Sequence, residues 1–93
     1  MPDDTLQNLR NSIDAVDHKI IAALAQRAEL VREIGAYKRA RGTQPLDDTR
    51  FKNMIADRVA AGESLSLPDT FVKDIFTRIH DESLREQERS TNV

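Results

Sequence analysis

The chain has 93 residues, a net charge of −2 and no cysteine. That length allows one domain with a modest core of its own, so burial against a partner chain is expected. The near-neutral charge, the single Tyr and the three Phe argue against a nucleic-acid binder, and the lack of cysteine excludes a disulfide, a thiolate nucleophile and a cysteine metal site.

The first predicted element is a long helix over about residues 5–41. Between Pro2 and Gly42 the chain has one glycine, Gly35, no proline, and many Ala, Leu, Arg, Glu and Lys, all good helix formers. At this length the helix extends about 55 Å, well beyond the usual globular helix. Residues 1–12 contain no long apolar run, so no signal peptide is expected. The longest apolar run, Ile20 to Ala25, falls far short of the roughly 20 residues a membrane span needs. A cytoplasmic protein is the expectation.

Along this helix Leu9, Ile13, Val16, Ile20, Ala23, Arg27, Leu30, Ile34 and Tyr37 recur at steps of three and four. They make an apolar stripe interrupted by Arg27. A guanidinium keeps its charge at any accessible pH, so a buried one needs anionic partners. The neighbouring row carries Arg10 and Lys38 close to the same face. Two readings stay open: the cations pair with acids or snorkel to water, or they line a pocket for an anion. Arg27 and Lys38 are eleven residues apart, about 16 Å along the axis, and two long side chains can grip one small molecule across it. Arg10 is seventeen residues from Arg27, about 25 Å, so an antiparallel partner helix would have to bring its own Arg10 to that molecule. A seam this extended suggests such a partner, and symmetric dimers are the commonest oligomers.

Gly42, Thr43, Gln44 and Pro45 predict a stop and a turn. Asp47, Asp48 and Thr49 then offer N-caps for a second helix over about 48–61, ending at Gly62. Asp47 and Arg50, one turn apart, read either as a cap with a surface ion pair or as part of a site. Ser66 and Pro68 mark the start of a third helix over about 68–88, with a frayed tail from Ser90 to Val93. Its face runs Val72, Ile75, Phe76, Ile79, Ser83, Gln87, an apolar row that turns polar at its end. Ser83 and Gln87 either cap a fraying end or face a ligand. No strand signal, internal repeat or low-complexity tract is present, and the expected fold is all-α with three helices in one domain, 1–93.

Taken in order, these residues resemble the all-helical chorismate mutase family. The first helix carries Leu9 and Arg10, Ile13 and Asp14, then Asp17, then Ala25, Gln26 and Arg27, then Ile34 through Lys38. The second begins with Asp47 and Arg50, and the third ends with Ser83 and Gln87. The spacing over residues 6–88 is similar to that of the simple bacterial enzyme, without insertions. Each motif is weak alone; together, in this order, they are fairly specific.

The resemblance implies an intertwined homodimer with two identical sites for a small dicarboxylate, converting chorismate to prephenate. It implies that Arg27 and the partner copy's Arg10 bind the two carboxylates. Lys38 would hold a carboxylate and the ether oxygen of the breaking bond, and Gln87 would donate a second hydrogen bond to that oxygen. Ser83 would help hold a carboxylate, with Arg50 and Asp47 near the ring. Such a rearrangement is unimolecular and calls for no metal, cofactor or nucleophile. It calls for the reactive conformer to be held and for positive charge where the ether oxygen gains electron density.

Two positions depart from the pattern. Phe51 stands where the family usually has a glutamate that contacts the ring hydroxyl. His80 stands where the simple bacterial enzyme has an aliphatic residue facing the site, and reads as a ligand contact or a half-exposed helix residue. Phe51 also brings two relatives of the same fold into view, isochorismate-pyruvate lyase and 4-amino-4-deoxychorismate mutase. A non-catalytic helical dimerisation module would explain the seam but not the polar residues that interrupt the apolar faces.

Overall fold

A computed structural model of the chain describes residues 3–42 and 48–91, and the side chains of 3–42 and 48–89. Three α-helices follow one another: α1, Thr5–Arg41; α2, Asp48–Ser64; and α3, Asp69–Thr91. The described residues contain no strand. None of these helices is long and apolar enough to cross a membrane. The chain falls into two compact units, Met1–Leu30 and Val31–Val93.

The 37 residues of α1 coincide with the helix expected from composition. Asp3 starts it: its Oδ1 accepts the backbone N–H of Thr5 at 2.9 Å, one of the donors a helix start leaves without a partner. Hydrogen bonds from the Thr5 side chain and backbone hold the Asp3 carboxyl below its ordinary range. At the other end Gly42 has φ 70°, and its N–H bonds the Arg39 carbonyl at 3.2 Å. Lys38, Arg39 and Arg41 in the last turn suit the negative end of the helix dipole, and the Arg41 guanidinium lies 4.3 Å from the Tyr37 ring centre.

In the first unit the apolar stripe faces outward. Leu6, Leu9, Ile13, Val16, Ile20, Ile21 and Leu24 are 42–61% exposed. A contiguous apolar row of this length is more exposed apolar surface than a monomer usually carries.

In the second unit α2 packs on α3 as a helical hairpin. Met54 of α2 and Val72 of α3 are buried, as are Val31 and Gly35 of α1. The sequence places the end of α2 at Gly62, but the helix continues through it to Ser64. Gly62 serves close approach instead: a Cβ there would stand 2.7 Å from Val72 Cγ2. The stop lies four residues on, at Ser66. The Leu67 N–H bonds the Gly62 carbonyl at 2.9 Å and the Ser66 N–H bonds the Glu63 carbonyl at 3.1 Å. Ser66 itself has φ 62°. These are the two bonds and the left-handed residue of a Schellman cap, with serine where glycine is the usual choice. Pro68 follows, and its carbonyl accepts the Val72 N–H at 3.1 Å to open α3. Proline therefore sits just before the first helical residue, Asp69. At its far end α3 runs to Thr91, past the expected boundary at residue 88.

A side chain in the left-handed region costs roughly 1–2 kcal/mol relative to glycine. Ser66→Gly is therefore expected to stabilise the chain by about 1 kcal/mol, less the extra freedom glycine has when unfolded. Urea denaturation of the two proteins checks this, and an unchanged or lower midpoint contradicts it.

Candidate active site

The residues with chemical potential sit on all three helices. In the first unit Arg10 is exposed and Arg27 half-buried, both on α1. In the second unit Lys38 on α1 is half-buried. On α2 Arg50 is exposed and Phe51 half-buried. Asp47, expected beside them, lies outside the described residues. On α3 His80 and Ser83 are half-buried and Gln87 is buried.

The polar end of α3 has a definite arrangement. The Ser83 Oγ donates to the Ile79 carbonyl at 2.9 Å, a backbone bond that orients the hydroxyl. One turn further, Gln87 is only 8% exposed. Its Oε1 is buried with no hydrogen-bond partner among the described residues. An unpaired buried polar atom costs about 1–3 kcal/mol, so it is retained in native proteins where something repays it. A half-turn of the amide puts its NH2 at the same place, so the group serves an acceptor or a donor.

Beside Gln87, Glu86 ties α3 to α1. Its Oε1 accepts the Arg32 Nε–H at 2.5 Å, and its Oε2 accepts from Arg89 at 2.5 Å. Glu82 joins the ladder through Arg85 and Arg89 at 3.1 and 2.9 Å. Hydrogen bonds from Arg89 and then Arg32 hold the Glu86 carboxyl below its ordinary 4.5. Sequence reading missed the Arg32–Glu86 link, because nothing in a local pattern pairs residues 54 apart. It also missed that Phe51 of α2 and His80 of α3 touch, with ring centres 4.3 Å apart and planes tilted by 37°. Among the described residues no group of three or more His, Cys, Asp or Glu stands ready to hold a metal ion.

Comparison with known proteins shows the family. The family described as Chorismate mutase type II matches residues 9–88. The chain belongs to that family. Chorismate mutases are isomerases. The chain is 36% identical over 78 residues to the T-protein of Enterobacter agglomerans, a stretch covering 84% of this chain and 21% of that protein. It is 29% identical over 80 residues to the T-protein of Haemophilus influenzae, covering 86% of this chain and again 21% of the relative. It thus spans about a fifth of the length of these two curated relatives. The match takes in Arg10, Arg27, Lys38, Asp47, Arg50, Phe51, Ser83 and Gln87, all of which fall between residues 9 and 88.

Two outcomes follow for this part of the chain. Gln87→Met keeps the size of the side chain and removes the orphaned oxygen. It is expected to raise stability by about 1 kcal/mol, read as a higher denaturation midpoint; a destabilised variant would mean that the amide is already satisfied. The second concerns acid. The Glu86 pKa is lowered on folding, so its bonds stabilise the fold above the ordinary value of 4.5 and the contribution is lost as pH falls through the lower folded value. Wild type is expected to exceed Glu86→Gln in melting temperature at neutral pH, and the gap is expected to close on acidification. A gap that persists at low pH contradicts the assignment.

Proposed function

We propose that this chain is a chorismate mutase that converts chorismate to prephenate as an intertwined homodimer, with each site built from both copies. The family match supplies the reaction class. The observation that carries the reading to this chain's own residues is the buried Gln87 amide on α3, whose oxygen has no partner among the described residues.

In this reading Arg27, with Arg10 from the second copy, binds the two carboxylates of the dianion. Holding both restrains the flexible substrate in its compact, reactive conformer, which removes much of the entropic part of the barrier. Lys38 stands at the ether oxygen with its positive charge, and Gln87 donates a hydrogen bond to the same atom through its NH2. Negative charge grows on that oxygen as the bond breaks, so both contacts strengthen toward the transition state. Ser83 steadies a carboxylate, and Arg50 with Asp47 lines the pocket near the ring. Aromatic amino acid biosynthesis in the cytoplasm is the corresponding setting.

The dimer rests on the exposed stripe from Leu6 to Leu24. A second copy of the same helix, running antiparallel, offers a matching apolar row and carries Arg10 toward the other end of the seam. Apolar cover of this kind is worth about 25 cal/mol per Å² removed from water, whereas a lone helix keeps the row in solvent. A non-catalytic dimerisation module would share the seam but would have no use for a buried amide oxygen without a partner. Phe51 favours a second reading, in which the substrate is isochorismate or 4-amino-4-deoxychorismate, because a phenyl ring cannot accept a hydrogen bond from a ring hydroxyl.

The test is a product assay with purified protein and each of the three compounds, repeated for Arg10→Ala and Lys38→Ala. Prephenate from chorismate is expected, with each variant reduced at least a hundredfold, on the order of one lost oxyanion contact. Mixing the two unfolded variants and refolding them is expected to restore activity toward about a quarter of wild type, since half the dimers are mixed and one site in each is intact. No recovery on mixing refutes the shared site. Salicylate with pyruvate, or the amino analogue of prephenate, identifies the second reading. Silence on all three compounds refutes the enzyme.

A further inference from the structure

Lys38 of α1 and Gln87 of α3 both belong to the second unit, Val31–Val93. On α1 the buried Val31 and Gly35 and the half-buried Lys38 follow at steps of four and three, so the three share one face of the helix. Arg32 stands one residue on from Val31, about 100° round, on the flank of that face. On α3 Glu86 stands one residue before the buried Gln87, again about 100° round, on the flank of the face that carries the amide. These two flank residues meet: the Arg32 Nε–H donates to Glu86 Oε1 at 2.5 Å. The Glu86 side chain is only 16% exposed, although that of Arg32 is 54% exposed. The other Glu86 oxygen accepts from Arg89, three residues on along α3, at 2.5 Å. A carboxylate bonded through both oxygens, once across to α1 and once along its own helix, has little freedom left to turn. Gln87 itself lies four residues before the end of α3 at Thr91, beside the last turn, and helix ends fray.

We propose that Arg32 is a positioning residue for Gln87: through Glu86 it pins the end of α3 to α1, and so holds the Gln87 amide at the distance and angle that its hydrogen bond to the substrate requires. This rests on the proposed function, in which Gln87 and Lys38 both serve the ether oxygen. The two groups tolerate displacement differently. A hydrogen bond weakens steeply once its angle falls below about 120° or its length passes about 3.2 Å. The attraction of the Lys38 charge falls only as the inverse of distance. A shift of the end of α3 therefore harms the amide contact far more than the charge. An ion pair with one partner half in solvent adds little to stability, whereas a misplacement of about 1 Å at a reacting centre can cost a hundredfold in rate. The weight of Arg32 thus falls on where the amide stands rather than on whether the chain folds.

The experiment measures kcat and KM on whichever of the three compounds wild type converts. The proteins are wild type, Arg32→Met, Arg32→Lys, Glu86→Gln, Gln87→Met and the Arg32→Met/Gln87→Met double variant, each checked for helix content by circular dichroism. Arg32→Met keeps the apolar stem and removes the guanidinium. It is expected to lower kcat about tenfold, short of the loss that a full 1 Å misplacement brings. KM is expected to stay within about twofold, because the amide contact strengthens toward the transition state. Glu86→Gln is expected to follow Arg32→Met, and Arg32→Lys, which keeps the charge, to recover part of the loss. Gln87→Met is expected to lose on the order of a hundredfold. Without the amide Arg32 has nothing to position, so adding Arg32→Met to Gln87→Met is expected to change kcat by less than about twofold. An equal fall from Arg32→Met in both backgrounds, which a general structural role produces, overturns the proposal. So does a wild-type kcat in Arg32→Met or in Glu86→Gln; in these cases an impaired Gln87→Met leaves the enzymatic reading standing. Gln87→Met at the wild-type rate removes the role of the amide and this proposal together. Wild type inactive on all three compounds removes the proposed function as well.

Discussion

The close approach of Val72 to the bare backbone of Gly62 is the constraint on which the second unit depends. It lets α2 and α3 meet nearly backbone to side chain at one end of the hairpin, and the Schellman cap at Ser66 turns the chain there. From that fixed point the two helices run alongside each other until Phe51 and His80 touch. These rings lie eleven residues back along α2 and eight residues on along α3. A contact made by absence of a side chain thus sets the register at which two functional candidates face one another.

Beyond His80, α3 gives up apolar cover for polar groups, and the two flanks of its end behave differently. On one flank Glu86 is bonded to Arg32 of α1 and to Arg89. These pairs are largely exposed at the arginines, and exposed pairs contribute little each. Their value lies in fixing where the helix end sits relative to the last turns of α1. On the other flank Gln87 is buried without a partner for its oxygen. A fold under selection for stability alone would place a methionine or leucine there. Keeping the amide is the kind of stability cost that functional sites carry.

The first unit poses the opposite problem. A single helix buries almost nothing against itself, and the large apolar residues from Leu6 to Leu24 stay in solvent. Helical propensity and the Asp3 cap support α1 locally. Isolated helices owe little of their stability in proteins to propensity, and most of it to packing of an apolar face. A second copy of the chain is the occupant proposed for that face.

Three helices, the bounds of α1 and the helix faces that carry Arg10, Arg27, Lys38, Ser83 and Gln87 are legible in the order of the residues alone. Composition and the three-four spacing are local properties, and so are legible in order along the chain. Its ordered residues also pointed to the family that the comparison establishes. That Gly62 is a packing position and Ser66 the stop emerges from the packing of α2 on α3, because glycine marks a helix end and a close approach with the same letter. Helix packing alone brought together Phe51 with His80 and Arg32 with Glu86. It alone left the Gln87 oxygen unpaired. Those facts depend on which helix lies beside which, and at what distance. No spacing within a single helix encodes that.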